Sequence, residues 1–227
     1  MSIPEIPAVS LSALCKTYPH SEDPVEVLKG VELELAEGDT AAVLGPSGSG
    51  KSTLLALLGG LDRPTSGQIS LLGEDLVRMS EPGLASFRAR NLGIVFQQFH
   101  LMSHMTALEN VALPLEIARD PRAWEKARKG LSDVGLSHRE NHVPAELSGG
   151  ESQRVAIARA LVAEPRILLA DEPSGNLDVH TGRQVMELLF RLVRERRATL
   201  LLVTHNPEFS AQCGRRFNLE DGRLGNA

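Results

Sequence analysis

Eight residues, Gly45-Pro-Ser-Gly-Ser-Gly50-Lys51-Ser52, constrain this chain more than any other stretch of it. They fit the spacing G-x-x-x-x-G-K-[ST] and lie between a predicted buried strand, Thr40 to Leu44, and a leucine-rich predicted helix over residues 52–60. The glycines let the backbone curl until successive N–H groups point inward, and the helix that follows adds the positive end of its dipole. Lys51 supplies a mobile positive charge and Ser52 a hydroxyl that can ligate Mg²⁺. The stretch therefore reads as a cradle for phosphate oxygens. A plain Gly/Ser turn would need neither the lysine nor the flanking elements.

The elements around this loop set the fold class. Val31, Leu33 and Leu35 alternate as a strand does, residues 36–39 form a turn, and Gln68 to Leu72 predicts another short strand. The helix over 52–60 is expected to close at Gly59 and Gly60, with Pro64 beyond. From about residue 80 to 163 the signals turn helical, including Ala107 to Val111 and Arg122 to Val134. Arg166 to Ala170 and Thr199 to Val203 then read as buried strands, with an amphipathic helix over 181–196 between them. Thr181 and Gln184 are expected to cap that helix. Phe217 to Leu224, around Asp221-Gly222, predicts a terminal hairpin. Strand and helix alternating in this order imply an α/β fold, a largely parallel sheet covered on both faces with a helical insertion. With 227 residues and no internal repeat, one domain with an inserted subdomain is the expected organisation.

Composition excludes several functions. Lys plus Arg number 24 against 29 Asp plus Glu, a net charge of −5, so the basic footprint of a general nucleic-acid binder is missing. No stretch approaches the roughly 20 apolar residues of a spanning helix, so work at a membrane needs a partner. The N-terminus, MSIPEIPAVSLSALC, leads up to Cys15 as a lipidated precursor would. However, no Lys or Arg precedes the apolar stretch, Glu5 and two prolines interrupt it, and Leu14 is a poor neighbour for a modified cysteine. A mature cytosolic N-terminus is the expectation. Cys15 and Cys213 lie at opposite ends, which argues against a disulfide or cysteine metal site; both are expected to be small buried apolar side chains.

Two further motifs carry chemistry. Ile167-Leu-Leu-Ala-Asp171-Glu172 is an apolar strand ending in two carboxylates, suited to an acid that orients Mg²⁺ through its hydration shell and a base that polarises an attacking water. Leu147-Ser148-Gly149-Gly150-Glu151 opens a predicted helix of about 150–163 as a capping box, and such a helix end is also an anion site.

With these motifs in this order, the sequence resembles the ATP-binding cassette (ABC) family over nearly its whole length. The resemblance implies a P-loop NTPase (RecA-like) core with an antiparallel β subdomain and an inserted α-helical subdomain. On that pattern residues 1–227 form a single ABC ATPase domain, with core and β subdomain in 1–90 and 164–227 and the Q-loop, helical subdomain and signature helix in 91–163. It implies that ATP is held by Gly45, Pro46, Ser47, Gly48, Ser49, Gly50, Lys51, Ser52 and Thr53, with Tyr18, the only tyrosine, stacked on adenine. Glu172, His205 and Gln97 take the catalytic roles: base, switch histidine and γ-phosphate sensor. Gln98 leaves a one-place ambiguity beside Gln97. Ser52, Gln97 and Asp171 are the residues implied for Mg²⁺. Ser148, Gly149 and Gly150 face the γ-phosphate held by a second copy of the chain, and the loop Ser174 to Asp178 crosses to that copy. Glu151 and Asn206 stand where many relatives have glutamine and aspartate.

Leu57 to Gly67, Met105 to Pro114 and Ala170 to Asp178 resemble the bacterial lipoprotein-release and macrolide-export branch, of LolD and MacB type, and most nearly its YbbA-like members. That implies a separate subunit on the cytoplasmic face of the inner membrane, bound peripherally to a permease with few membrane helices. Phe96 to Met105 is the expected permease contact, an ordinary subdomain core being the other reading. The end of the chain at Ala227 leads to the expectation that no regulatory C-terminal domain follows. Other readings are a soluble non-transport cassette ATPase of DNA repair or translation, against which stands the lack of heptad coiled coils or a second cassette, and a P-loop kinase or GTPase, against which stands the signature.

Overall fold

A computed structural model describes residues 6–20 and 23–227, so the part of the N-terminal expectation resting on residues 1–5 lies outside the described residues. The chain divides into two compact units, one running up to Arg88 and resuming at Ala198, the other spanning Ala89–Arg197.

In the first unit, β1 (Val9–Tyr18) pairs antiparallel with β2 (Val25–Leu35), setting Val9 against Leu35, Leu11 against Leu33 and Leu14 against Val31. Leu11 and Leu14 are three apart yet share a buried face. The reason is a shift of register between them, where Ala13 adopts a left-handed φ of 47°. β3 (Thr40–Leu44) and α1 (Lys51–Leu58) follow, then β4 (Ser66–Leu71) and β5 (Glu74–Asp75), which complete a sheet of order β2-β1-β4-β5. β3 itself is central to a second sheet. It runs parallel to β8 (Thr199–Val203) on one side and to β9 (Arg215–Glu220) on the other, while β10 (Arg223–Asn226) returns antiparallel on β9. Ala41, Ala42 and Val43 are wholly buried, as a strand covered on both faces requires. The hairpin turns at Asp221-Gly222, both left-handed, as the sequence predicts.

The helix α2 (Glu81–Asn91) contains the division between the units. In the second unit β6 (Leu92–Val95) runs parallel to β7 (Ile167–Asp171), and α3 (Ala107–Ile117), α4 (Ala123–Asp133), α5 (Gly149–Leu161) and α6 (Val179–Arg196) pack around Val111, Leu131, Ile157 and Leu161. A Cβ on Gly93 would stand 2.3 Å from the Ala160 carbonyl oxygen, so β6 passes too close to α5 for any side chain there. The short α7 (Pro207–Ser210) belongs to the first unit. No helix among the described residues is long and apolar enough to cross a membrane.

Two expectations are corrected. The helix placed over 181–196 starts at Val179 and is capped by Asp178, whose carboxylate accepts from the His180 and Thr181 N–H groups (3.1 and 3.0 Å). A carboxylate is the stronger cap, and it also meets the helix dipole. Cys213 is buried as expected, but Cys15 is only half-buried, its sulfur accepting from the Gly30 N–H at 3.1 Å. The shifting register of β1 and β2 around this point leaves that N–H to a side chain.

Candidate active site

The loop after β3 is shaped by close approach. A Cβ on Gly45 would lie 2.3 Å from the Leu219 carbonyl oxygen and 2.8 Å from Ser49 Oγ, so only glycine fits. Gly50 is left-handed (φ 105°) and caps α1 without a side chain, and the first turn of α1 holds no acid. Lys51 is buried, its ammonium donating to the carbonyls of Gly45 (2.9 Å) and Pro46 (2.8 Å). Ser49 Oγ is buried without a hydrogen-bond partner in the protein. A free hydroxyl, a buried cation and an uncapped helix end, in a loop with no carboxylate, fit a polyphosphate. A metal fits only in company. Among the described residues no three His, Cys, Asp or Glu side chains group to hold one, whereas the exposed Ser52 hydroxyl suits a Mg²⁺ shared with phosphate oxygens and water.

The same unit places His205 and Tyr18. Val43 pairs with Val203, and the Thr204 N–H donates to the Val43 carbonyl (3.2 Å), so the exposed His205 leaves β8 at the end of the sheet from which the loop leaves β3. Asn206 accepts from the Glu208 N–H (2.8 Å) and caps α7, which accounts for asparagine at this position. Tyr18 ends β1 with its ring 37% exposed and its hydroxyl donating to Asp62 Oδ2 at 2.7 Å.

In the second unit the parallel pairing of Val95 with Ala170 sets Gln97, two residues beyond β6, beside Asp171 and Glu172 at the end of β7. Glu172 has a left-handed φ of 42°, and its carbonyl accepts from the Gly175 N–H (2.9 Å), which turns the chain sharply after the acidic pair. Asn176 donates to the Gln97 carbonyl (3.0 Å), and a Cβ on Gly175 would stand 2.7 Å from Gln97 Nε2. Gln97 is half-buried against this loop, whereas Gln98 is exposed.

The expected capping box is present: Ser148 Oγ accepts from the Glu151 N–H (3.2 Å) and Glu151 accepts from the Ser148 N–H (2.8 Å). Arg139 pairs with Glu151 at 2.9 Å. Gly150 has no room for a side chain, since a Cβ would meet Thr181 Cγ2 at 2.4 Å, while Ser148 and Gly149 are exposed.

Four residues absent from the sequence expectations shape these surroundings. Lys16 pairs with Asp62 beside Tyr18. In the second unit the wholly buried Asn110 binds the carbonyls of Met102, Met105 and Thr106, and Arg159 donates to those of Phe99 and His100, which holds the stretch Phe96 to Met105 in place. Glu109 is the exposed capping-box acid of the run Ala107 to Ala112, so Asn110, the one other polar residue among its apolar neighbours, was the signal.

The ABC transporter family profile matches residues 28–175. The "Lipoprotein-releasing system ATP-binding protein LolD" of Geobacter metallireducens is 54% identical, covering 93% of this chain and 95% of its own. Its namesake in Bordetella pertussis is 48% identical over 96% of this chain and 95% of its own. The ATP-binding cassette MJ0796, solved as a dimer in a post-hydrolysis state bound to ADP and Pi, superposes with a TM-score of 0.89 at 39% identity, covering 96% of this chain and 98% of that one. The fold is that of a P-loop ABC ATPase, and the chain belongs to the ABC transporter family.

Proposed function

We propose that this protein is the ATP-binding and ATP-hydrolysing subunit of an ABC transporter of the lipoprotein-release type. It closes as a dimer around two ATP molecules and drives a separate membrane permease from the cytoplasmic face of the inner membrane. The observation that carries the reading is the loop from Gly45 to Lys51, with its buried ammonium, unpartnered Ser49 hydroxyl and uncapped helix end. Lipoprotein release as the task rests on relatives at 54% and 48% identity that carry that name.

Adenine stacks on Tyr18, and Lys51 exchanges the carbonyls of Gly45 and Pro46 for the β- and γ-phosphates. Mg²⁺, met by Ser52, Gln97 and Asp171, would neutralise charge between those phosphates when bound. Glu172 accepts a proton from the water in line with the γ-phosphate and His205 holds that phosphate. Ser148, Gly149 and Gly150 of a second copy close the site, with the loop ending at Asp178 beside them. Core and β subdomain occupy 1–90 and 164–227, the helical insertion 91–163, and Phe96 to Met105 meets the permease. A repair or translation ATPase is not favoured.

Glu172→Gln tests the chemistry. Turnover should fall by roughly 10² or more while ATP binding persists, because general-base catalysis contributes about 10²–10⁴. Light scattering with ATP should show a trapped dimer. A variant that hydrolyses at the wild-type rate removes Glu172 from the role.

A further inference from the structure

Tyr18 does not stand alone. Lys16, two residues earlier on the same face of β1, is 8% exposed, and its ammonium lies 4.6 Å from the centroid of the Tyr18 ring. That ammonium is fixed by Asp62 Oδ1 at 2.8 Å and by the Arg63 carbonyl at 2.7 Å. The other oxygen of Asp62 accepts the Tyr18 hydroxyl at 2.7 Å, and Oδ1 also accepts the Arg63 N–H at 2.7 Å. One carboxylate thus ties the ring's hydroxyl to the cation that covers a face of the ring.

We propose that Lys16 and Asp62 are positioning residues for the nucleotide base: together they anchor the Tyr18 ring and reserve its uncovered face for an aromatic ligand. The inference rests on the reading of Tyr18 as the adenine platform. Its physics is restraint. A hydrogen bond at the hydroxyl fixes where the ring ends, and a cation over one face opposes rotation about the ring's long axis. A ring held in this way gives up little freedom when a base stacks on it, whereas an unanchored one must be ordered by the ligand. Because the lysine is paired with the carboxylate, the device adds no net charge next to the base. It therefore acts on stacking and leaves the attraction of the triphosphate unchanged.

The titration directions agree with this arrangement. Burial, and then the hydrogen bond to Asp62, push the Tyr18 hydroxyl above its ordinary value, with Thr53 acting in the opposite direction. Burial alone would raise the Asp62 carboxyl. The hydrogen bonds from Lys16, Tyr18 and the Arg63 N–H outweigh it and hold that carboxyl low.

The experiment uses the full chain with Asp62→Ala and Lys16→Met, Tyr18→Ala serving as the control. KM for ATP should rise about 3- to 10-fold in either variant, the range set by losing one pre-ordered side chain, with kcat at saturating ATP kept within about twofold. Each variant leaves one charge of the pair unmatched, so competition by inorganic tripolyphosphate, which has the phosphates and no base, should be unaltered at raised ionic strength, where that single charge is screened. Tyr18 is the only tyrosine, so absorbance titration reads its hydroxyl directly, and in Asp62→Ala the midpoint should fall. Equal weakening of ATP and tripolyphosphate would mean a general distortion of the loop and would overturn the inference. So would an unchanged KM in both variants while Tyr18→Ala binds ATP poorly. If Tyr18→Ala itself binds ATP normally, the platform reading beneath the inference is what has failed. Two variants guard against misfolding, since Lys16→Met keeps the turn made by Asp62 with the Arg63 N–H.

Discussion

Two helices open at glycines in this molecule, and their first turns are finished in opposite ways. α1 begins at left-handed Gly50, has no side-chain cap and no acid, and leaves its leading N–H groups to whatever occupies the loop. α5 begins at Ser148 with a complete capping box, a carboxylate in its first turn and an arginine on that carboxylate. An orphan N–H costs free energy unless something satisfies it. The first helix end is therefore built to be completed by an anion, while the second is already satisfied within the chain. What α5 offers outward is a rigid, exposed Ser148-Gly149 edge, a surface to be presented rather than a cradle to be filled.

The contrast breaks most readily at Gly45. Gly45→Ala puts a methyl group against the Leu219 carbonyl oxygen at 2.3 Å and opens the loop. Wild-type protein with ATP at about 100 Kd should gain about 2.7 kcal/mol, or roughly 5–10 °C in Tm for a chain of this size. The variant should gain nothing in the same thermal scan, and a full ATP-dependent shift would show that the loop tolerates the methyl group. At the other helix, Ser148→Ala removes a cap. It should cost about 1 kcal/mol and lower Tm by roughly 2–4 °C without ATP, yet the shift on adding ATP to monomer should persist. Loss of that shift would mean that α5 acts on the nucleotide within its own chain.

The phosphate loop, the acidic pair after β7 and the capping box were legible because each is a local pattern whose geometry a few adjacent residues enforce. β1 was not. Its buried positions run Val9, Leu11, Leu14 and Lys16, and the register shift around Ala13 breaks the alternation by which a strand is recognised. β6 escaped for another reason: four residues including a glycine carry no periodicity, and only the passage of α5 explains that glycine. The start of α6 was misplaced because Thr181 and Gln184 imitate a cap that Asp178 provides. In the site, separate motifs could be read but not their supports, since Lys16 and Asp62 are 46 positions apart and meet only through the fold.

The finest distinction between the two helix ends is electrostatic, and it lies in Glu151. The Ser148 N–H holds this carboxyl below its ordinary value of 4.5, and the Ser148 hydroxyl and Arg139 add to that effect against the opposing influence of burial. A carboxyl whose folded value is depressed stabilises the fold above its unfolded value and loses that contribution as pH falls through the folded one. Glutamine in its place keeps the reciprocal cap, since either residue serves at the third helical position, but it gives up the charge. Glu151→Gln should therefore be less stable than wild type at neutral pH by less than about 1 kcal/mol, Arg139 being about one-third exposed. The difference should hold down to pH 4.5 and shrink below it, as read from urea midpoints across that range. A difference that stays constant on the acid side would mean the carboxylate's charge contributes nothing to α5, leaving hydrogen bonding alone to set it apart from α1.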